Sequence, residues 1–334
     1  MIKLDLGFNR SVYILTTLVA LILFFGCGDR KKSAYIIQVP PTFDSLPGIP
    51  DYNPMNGEKV EFGRKLFNDK RLSADGNISC ASCHLEAYAY SDTVAVSPGV
   101  HGRLDRRNAY GLVNVAYQKA LFMEGGVPNL ELQAMAPFFN ENEMGFNPSA
   151  AAKRIRNDEN YMNLSELAFG TDSIDSKVVA YSLAAFQRTL ISPGSRYDSF
   201  LQGDTSALNS SEKAGMQLFF SARTECSSCH SGFLFTDQKY HNIGLDSIIT
   251  DEGRAAISQS EEDLGKFKTP GLRNIGLTAP YMHDGRLTQL EDVIEFYNSG
   301  GLEHPNKDPR VHPLELTEIE KENLVAFLNS LNDI

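Results

Sequence analysis

Apolar residues recur at helical spacing in five stretches of this chain, and two of those stretches resemble each other. Gly57-Glu58-Lys59-Val60-Glu61-Phe62-Gly63-Arg64-Lys65-Leu66-Phe67 and Ser211-Glu212-Lys213-Ala214-Gly215-Met216-Gln217-Leu218-Phe219-Phe220 both read as amphipathic helices, and both contain G-x-x-L-F. A repeat of this kind predicts two copies of one structural unit. Further helices are expected at 149–168, 174–190 and 315–331. In the last, Leu316, Ile319, Leu324, Phe327, Leu328 and Leu331 form an apolar stripe. Strand signals are few and Gly, Pro and Asn breakers are frequent, so the expected class is mostly α with long loops. Breakers gather around Ser192-Pro193-Gly194-Ser195 and Gly203-Asp204. That puts a domain boundary near 192–206 and predicts domains at 51–200 and 201–334.

The N-terminus has a different pattern. Lys3 and Arg10 precede an apolar run from Val12 to Phe25, the length of a signal-peptide core and short for a membrane span. Gly26-Cys27 closes the run as a loose lipoprotein processing box. Residues 1–26 are therefore expected to be an export signal, with Cys27 lipidated; ordinary secretion or an uncleaved anchor are the alternatives. Residues 27–50, with Pro40-Pro41, Pro47 and Pro50, read as an extended tether.

Composition narrows the function. A chain of 334 residues accommodates two domains of ordinary size, and 42% apolar residues can bury real cores. The net charge of −11 argues against nucleic acid, whose backbone demands basic patches. It permits electrostatic steering towards a partly basic protein.

The decisive chemistry is in the cysteines. Each of the two G-x-x-L-F helices leads into a C-x-x-C-H pentapeptide: Cys80-Ala81-Ser82-Cys83-His84 and Cys226-Ser227-Ser228-Cys229-His230. Two thiols at this spacing can each form a thioether to one vinyl group of the same haem, and the adjacent histidine becomes the proximal iron ligand. Four of the five cysteines are used this way, so the expected cofactors are two covalently bound haem c groups. Long loops fit that expectation, because a large apolar disc supplies core that helices would otherwise provide. Attachment of c-type haem outside the cytoplasm fits the export signal, and the expected location is the periplasm or cell envelope.

Several further segments carry a resemblance to the bacterial di-haem cytochrome c peroxidases, the broad group that includes MauG-type enzymes. They are Gly99-Val100-His101-Gly102, Arg107-Asn108-Ala109, Phe122-Met123-Glu124-Gly125-Gly126, Leu130-Glu131-Leu132-Gln133 and Asn142-Glu143-Met144-Gly145. Thr269-Pro270-Gly271-Leu272-Arg273-Asn274 and Pro280-Tyr281-Met282-His283-Asp284-Gly285 complete the set. The resemblance covers nearly everything after residue 50 and implies two cytochrome c-like haem domains.

It also implies roles. The His84 haem would be the peroxidatic one, and the His230 haem would pass on electrons from a small cytochrome c or a cupredoxin. Glu143 matches the family's distal glutamate, and Gln133 the distal glutamine that orients peroxide or water. His101 matches a histidine that blocks the peroxidatic iron until the other haem is reduced; the alternative is an exposed loop histidine. The sixth ligand of the second haem would be Tyr297, as in MauG-type proteins, or Met282, whose alternative role is core packing. Asn108, Thr278 and Pro280 match the ligands of a calcium ion between the haems. Homodimers are usual in the family.

Two departures stand out. The chain has no tryptophan, and Met123 occupies the slot where relatives carry one between the haems. Electrons are then expected to pass between the haems by tunnelling between close edges, or through Tyr110, Tyr117 or Tyr281. The Phe122–Gly126 stretch also lacks the arginine found in others. Of the remaining histidines, His283 is expected to bond a propionate or a carbonyl, and His241, His304 and His312 to be surface residues. The leading expectation is an exported peroxidase that reduces hydrogen peroxide to water. A MauG-type oxidase of a protein or organic substrate, and a non-catalytic di-haem electron carrier or redox sensor, are the alternatives.

Overall fold

A computed structural model describes residues 34–43, 47–192 and 194–333. The export signal and Cys27 lie outside the described residues. The fold is mostly helical, with twelve α-helices and one two-stranded sheet among the described residues. In chain order the helices are α1 (Gly57–Phe67), α2 (Leu130–Gln133), α3 (Ala136–Phe139), α4 (Pro148–Ile155), α5 (Glu159–Phe169) and α6 (Ser176–Gln187). They continue with α7 (Arg196–Leu201), α8 (Ser210–Phe219), α9 (Cys226–Cys229), α10 (Ala255–Ser258), α11 (Leu290–Ser299) and α12 (Glu318–Asn329). Strands β1 (Tyr240–His241) and β2 (Phe267–Lys268) pair antiparallel. No described helix is long and apolar enough to cross a membrane.

Two hydrophobic clusters organise the chain. The first runs from Phe62 to Leu190 and the second from Tyr197 to Leu331. In the first, α1 packs across α6; in the second, α8 packs across α12. The G-x-x-L-F repeat explains both crossings. A β-carbon at Gly63 would fall 1.9 Å from the Ser182 carbonyl oxygen, and one at Gly215 would fall 1.8 Å from that of Asn323. Only glycine lets the backbones approach so closely. Leu66 and Phe67 are then buried in the first cluster and Phe219 in the second, with Leu218 partly buried against it.

Capping residues set the helix boundaries. Asn56 starts α1 by accepting from Lys59 N, and Asn209/Glu212 and Thr317/Glu320 form capping boxes on α8 and α12. The helix expected at 149–168 is two helices, α4 and α5. The Asp158 side chain accepts from Asn160 N and starts a new helix, so the first one ends at Ile155. In α12, Leu324, Phe327 and Leu328 are buried as the stripe requires, but Ile319 is 60% exposed in the first turn.

The segment expected to be an extended tether is packed against the protein where it is described. Ala34 bridges to Asn56, and Ile37 packs with Met55 and Ala185. Phe43 is buried between Tyr117 and Phe233, with ring centroids 5.5 and 4.7 Å away, and the Arg273 guanidinium lies 4.6 Å from its ring centroid. Tyr117 precedes the Phe122–Gly126 turn and Phe233 follows the second C-x-x-C-H, so this strap joins elements of both halves. The prolines that suggested an extended chain start turns instead: Phe43 N donates to the Pro40 carbonyl at 3.0 Å and Asn53 N to that of Pro50 at 2.9 Å.

Candidate functional site: two haem-attachment loops

Each C-x-x-C-H follows the helix that carries its G-x-x-L-F. Cys80 and Ala81 pack against the first cluster and Cys226 against the second. The two loops share their supports. The His84 Nδ1 lies 2.8 Å from the Tyr90 carbonyl, and the His230 Nδ1 lies 3.0 Å from that of Phe235. An imidazole held this way donates through Nδ1 and presents Nε2 as the ligating nitrogen. Burial pushes both imidazoles towards the neutral form that binds metal. Behind each loop stands an aromatic triad: Phe67, Tyr90 and Phe186 in the first, Phe219, Phe235 and Phe327 in the second. Among the described residues these four cysteines form no disulfide, which leaves their sulfurs for thioethers. The donor set and the fixed histidines fit two haem c groups.

A second internal repeat, unread in the sequence, builds the walls opposite these loops. Gly111-Leu112-Val113-Asn114 corresponds to Gly271-Leu272-Arg273-Asn274, and Asn114 and Asn274 share left-handed backbone angles, with φ of 60° and 62°. Next come two matching turns, closed by bridges from Leu121 to Val127 and from Tyr281 to Leu287. Phe122 and Met282 occupy the same place in them, at φ 63° and 74°, and Met123 corresponds to His283. Few identities survive between the copies, which is why the pattern escaped a reading of the sequence.

The turns then lead into different helices. In the second half, α11 is one continuous helix that carries Tyr297. In the first half, α2 stops after Gln133 and α3 restarts around Pro137, the position equivalent to Tyr297. Proline has no N–H to continue the helical ladder. The ladder therefore breaks between α2 and α3, and after Phe139 the chain turns through Asn140–Gly145, where Met144 N donates to the Pro137 carbonyl. That turn holds Glu143.

Glu143 is half-buried, and its charge reaches the Cys80 and Cys83 sulfurs. Burial raises its carboxyl above the ordinary range; a hydrogen bond from Asn140 opposes this, and the Asp105 charge adds to it. Gln133 is buried, and among the described residues its Oε1 has no hydrogen-bond partner. Glu131, two residues earlier on α2, accepts from Asn53 at 2.7 Å and from Arg188 at 2.9 Å in the interior. This ion pair ties α2 to the end of α6 and so fixes Gln133. Arg188 and Asn53 carried no sequence signal, because both are remote from the L-E-x-Q motif.

His101 is on a tight turn with a left-handed φ of 59°. Its side chain is 58% exposed and its Nδ1 lies 3.7 Å from Asp75, whose carboxylate also accepts from His101 N.

Around the second loop, one cavity of about 380 Å³ is lined by Cys226, Cys229, His230, Met282 and Tyr297 among others. Both alternatives for the sixth ligand therefore face the space next to His230. Burial, with Cys226 and Cys229 nearby, pushes the Tyr297 phenol well above its usual range when no metal is bound. Asn108, Thr278 and Pro280 line the same cavity. The Asn108 amide donates to the carbonyls of Val94 and Ala95.

The neighbourhood of Met123 is polar and ionic. Arg107 forms a fork on Asp251 at 2.8 and 2.9 Å and also pairs with Glu124. Arg254 donates to the carbonyls of Glu124 and Gly125. The Phe122–Gly126 turn lacks its own arginine, yet receives two from elsewhere. His283 stacks on Phe267 at 4.1 Å, and Lys268 N donates to the Met123 carbonyl at 2.7 Å. His241, expected at the surface, is only 12% exposed and lies between Asp308 (2.8 Å) and Asp237 (3.0 Å). Asp308 and its neighbour Arg310 are remote in sequence, so spacing could not show this.

Comparison with known proteins agrees with this architecture. The family model for di-haem cytochrome c peroxidases matches residues 57–206. Cytochrome-c peroxidase IdrP1 of Pseudomonas sp. (strain SCT) is 34% identical, over 97% of this chain and 93% of its own length. The methylamine utilization protein MauG of Methylophilus methylotrophus is also 34% identical, over 97% of this chain and 96% of its own. The crystal structure of a MauG-like protein associated with microbial copper homeostasis superposes with a TM-score of 0.85 at 34% identity, covering 90% of this chain and 96% of that one. With two supported haem-attachment loops and relatives of this identity over nearly its whole length, the chain belongs to the di-haem cytochrome c peroxidase and MauG family.

Proposed function

We propose that this protein is an exported peroxidase that reduces hydrogen peroxide to two waters, consuming two electrons and two protons. Family membership makes it a di-haem peroxidase or oxidase; the finer reading rests on Glu143. A half-buried carboxylate whose charge reaches Cys80 and Cys83 is suited to proton transfer beside the His84 haem. When bound, haem supplies the iron at which peroxide is reduced. Glu143 takes a proton from the near oxygen of peroxide and returns it to the far one. Gln133, with an unpartnered amide oxygen, orients peroxide or the product water. His101, exposed beside Asp75, would block the His84 haem iron until the other haem is reduced and then swing away.

Electrons would come from a small cytochrome c or cupredoxin at the second haem, which His230 and Tyr297 would hold through its iron. Asn108, Thr278 and Pro280 would hold a calcium ion between the haems. The signal segment exports the chain, and lipid on Cys27 tethers it to the cell envelope. Replacing Glu143 with Gln tests the reading: peroxide turnover collapses while both haem spectra survive. Unchanged turnover removes Glu143 from the mechanism.

One observation favours a second reading. Tyr297 faces the cavity beside His230, as the MauG-type resemblance implies, which suits an oxidase of a protein or organic substrate. A long-lived spectral change after one equivalent of peroxide, without turnover of small donors, would select it.

A further inference from the structure

We propose that Asn140 and Asp105 are positioning residues for Glu143: one amide holds two carboxylates side by side, and Asp105 sets the pH range over which Glu143 accepts a proton. The inference rests on Glu143 being the proton acceptor and adds how this chain controls it.

The geometry is a fork. Asn140 Nδ2 donates to Glu143 Oε1 at 2.8 Å and to Asp105 Oδ2 at 2.6 Å, using both of its protons. The amide cannot easily turn over, because its Oδ1 accepts from Asn142 N at 3.0 Å. The Asn140 carbonyl also accepts from Glu143 N and Gly145 N, so the same residue closes the turn that carries Glu143. Asp105 is steadied by Arg106 N, which donates to its Oδ1 at 2.7 Å.

Behind this turn lies the turn that bears His101. Val100 N donates to the Glu143 carbonyl at 2.9 Å. A β-carbon at Gly99 would fall 1.8 Å from the Asn142 carbonyl oxygen and 2.9 Å from the Glu143 α-carbon. Glu143 is thus fixed from both sides through its backbone and through Oε1, which leaves Oε2 for a ligand.

The surrounding charges decide the effect on protonation. His101 and Arg103 come from the neighbouring turn, Asp105 and Arg106 from its continuation, and Glu141 from the turn of Glu143 itself, while the neutral Cys80, Cys83 and Tyr110 are within its electrostatic reach. Arg103 is engaged with the Glu141 carbonyl at 3.3 Å, and its Nη1 lies 3.9 Å from the Glu141 carboxylate. His101 is turned to Asp75. The group sharing a donor with Glu143 is therefore another carboxylate. Two like charges on one amide resist ionising together, which favours the protonated form of Glu143, while the amide itself favours the ionised form.

The two neighbours thus act in opposite directions, and a purely structural role would not reproduce that. The test uses the purified di-haem protein and follows the rate of its reaction with hydrogen peroxide against pH by stopped-flow, alongside steady-state turnover. In Asp105→Asn, which preserves shape and the amide contact, the acid limb of the profile moves to lower pH. In Asn140→Ala the limb moves to higher pH and kcat/KM for peroxide falls by about tenfold or more, with KM for the donor unchanged. Haem spectra and thermal midpoint verify assembly, and if Asn140→Ala fails to assemble, Asp105→Asn decides alone. If Glu143→Gln abolishes turnover but the Asp105→Asn profile overlies the parent's, this inference is wrong and the peroxidase reading stands. If Glu143→Gln leaves turnover intact, the reading beneath it has failed.

Discussion

The α-carbon of Gly63 presses on the carbonyl of Ser182, and the same contact recurs between Gly215 and Asn323 in the other half. Each pair marks the point where a helix leading into a haem-attachment loop crosses the last long helix of its cluster. Alanine at either glycine drives a methyl group into a backbone oxygen, which only a shift of the helices relieves. Gly63→Ala and Gly215→Ala should each cost about 1–3 kcal/mol, the usual range for overpacking. Chemical denaturation measures this, and unchanged midpoints would mean that the crossings are looser than described.

Phe43 should matter to the whole molecule although it precedes the first helix. Its ring fills the space between Tyr117, Phe233 and the Arg273 guanidinium. Phe43→Ala should lower stability by about 3–5 kcal/mol, as for other buried aromatics. Removing residues up to Phe43 should have a comparable effect on the thermal midpoint. A truncated protein as stable as the parent would return this segment to the status of a linker.

Acid should weaken the contact between Arg107 and the 251 loop. The Arg107 guanidinium holds the Asp251 carboxyl down at about 2, below the value near 3.9 expected of an unfolded chain. A group depressed on folding contributes stability above its unfolded pKa and loses it as pH falls through the folded one. The contribution should therefore be full above about pH 4 and disappear towards pH 2. Asp251→Asn should flatten the fall of the thermal midpoint across that window and leave the neutral-to-alkaline range parallel to the parent's.

Tyr297 and Met282 make opposite predictions for the second haem. A phenolate ligand stabilises the oxidised iron. Tyr297→Phe should therefore change the ferric spectrum of one haem and raise its reduction potential, while Met282→Leu leaves both unchanged. The reverse pattern, read by spectroelectrochemical titration, would assign the ligand to methionine.

The two C-x-x-C-H loops and their preceding helices were legible in the sequence, because local spacing alone determines them. Glu143 and Gln133 were reached through resemblance; nothing in their spacing announces a site. The break between α4 and α5 was written in Asn157-Asp158, a start signal that the continuous apolar pattern masked. Ile37 and Phe43, two large apolar residues among prolines, were the clue that residues 34–43 are packed. Arg188, Asp308 and Arg310 could not be foreseen, since each meets its partner only through the fold. The repeat from Gly111 to Leu130 had diverged too far to see, with Leu121, Phe122 and Met123 replaced by Tyr281, Met282 and His283.

Pro137 and Tyr297 occupy equivalent positions, and the contrast between them divides labour within a duplicated scaffold. Where the rod is interrupted, a polar elbow comes forward and presents Glu143; where it runs unbroken, a bulky phenol is carried into the cavity beside His230. Twin moulds thereby yield two differently furnished surroundings for the two haem-attachment loops.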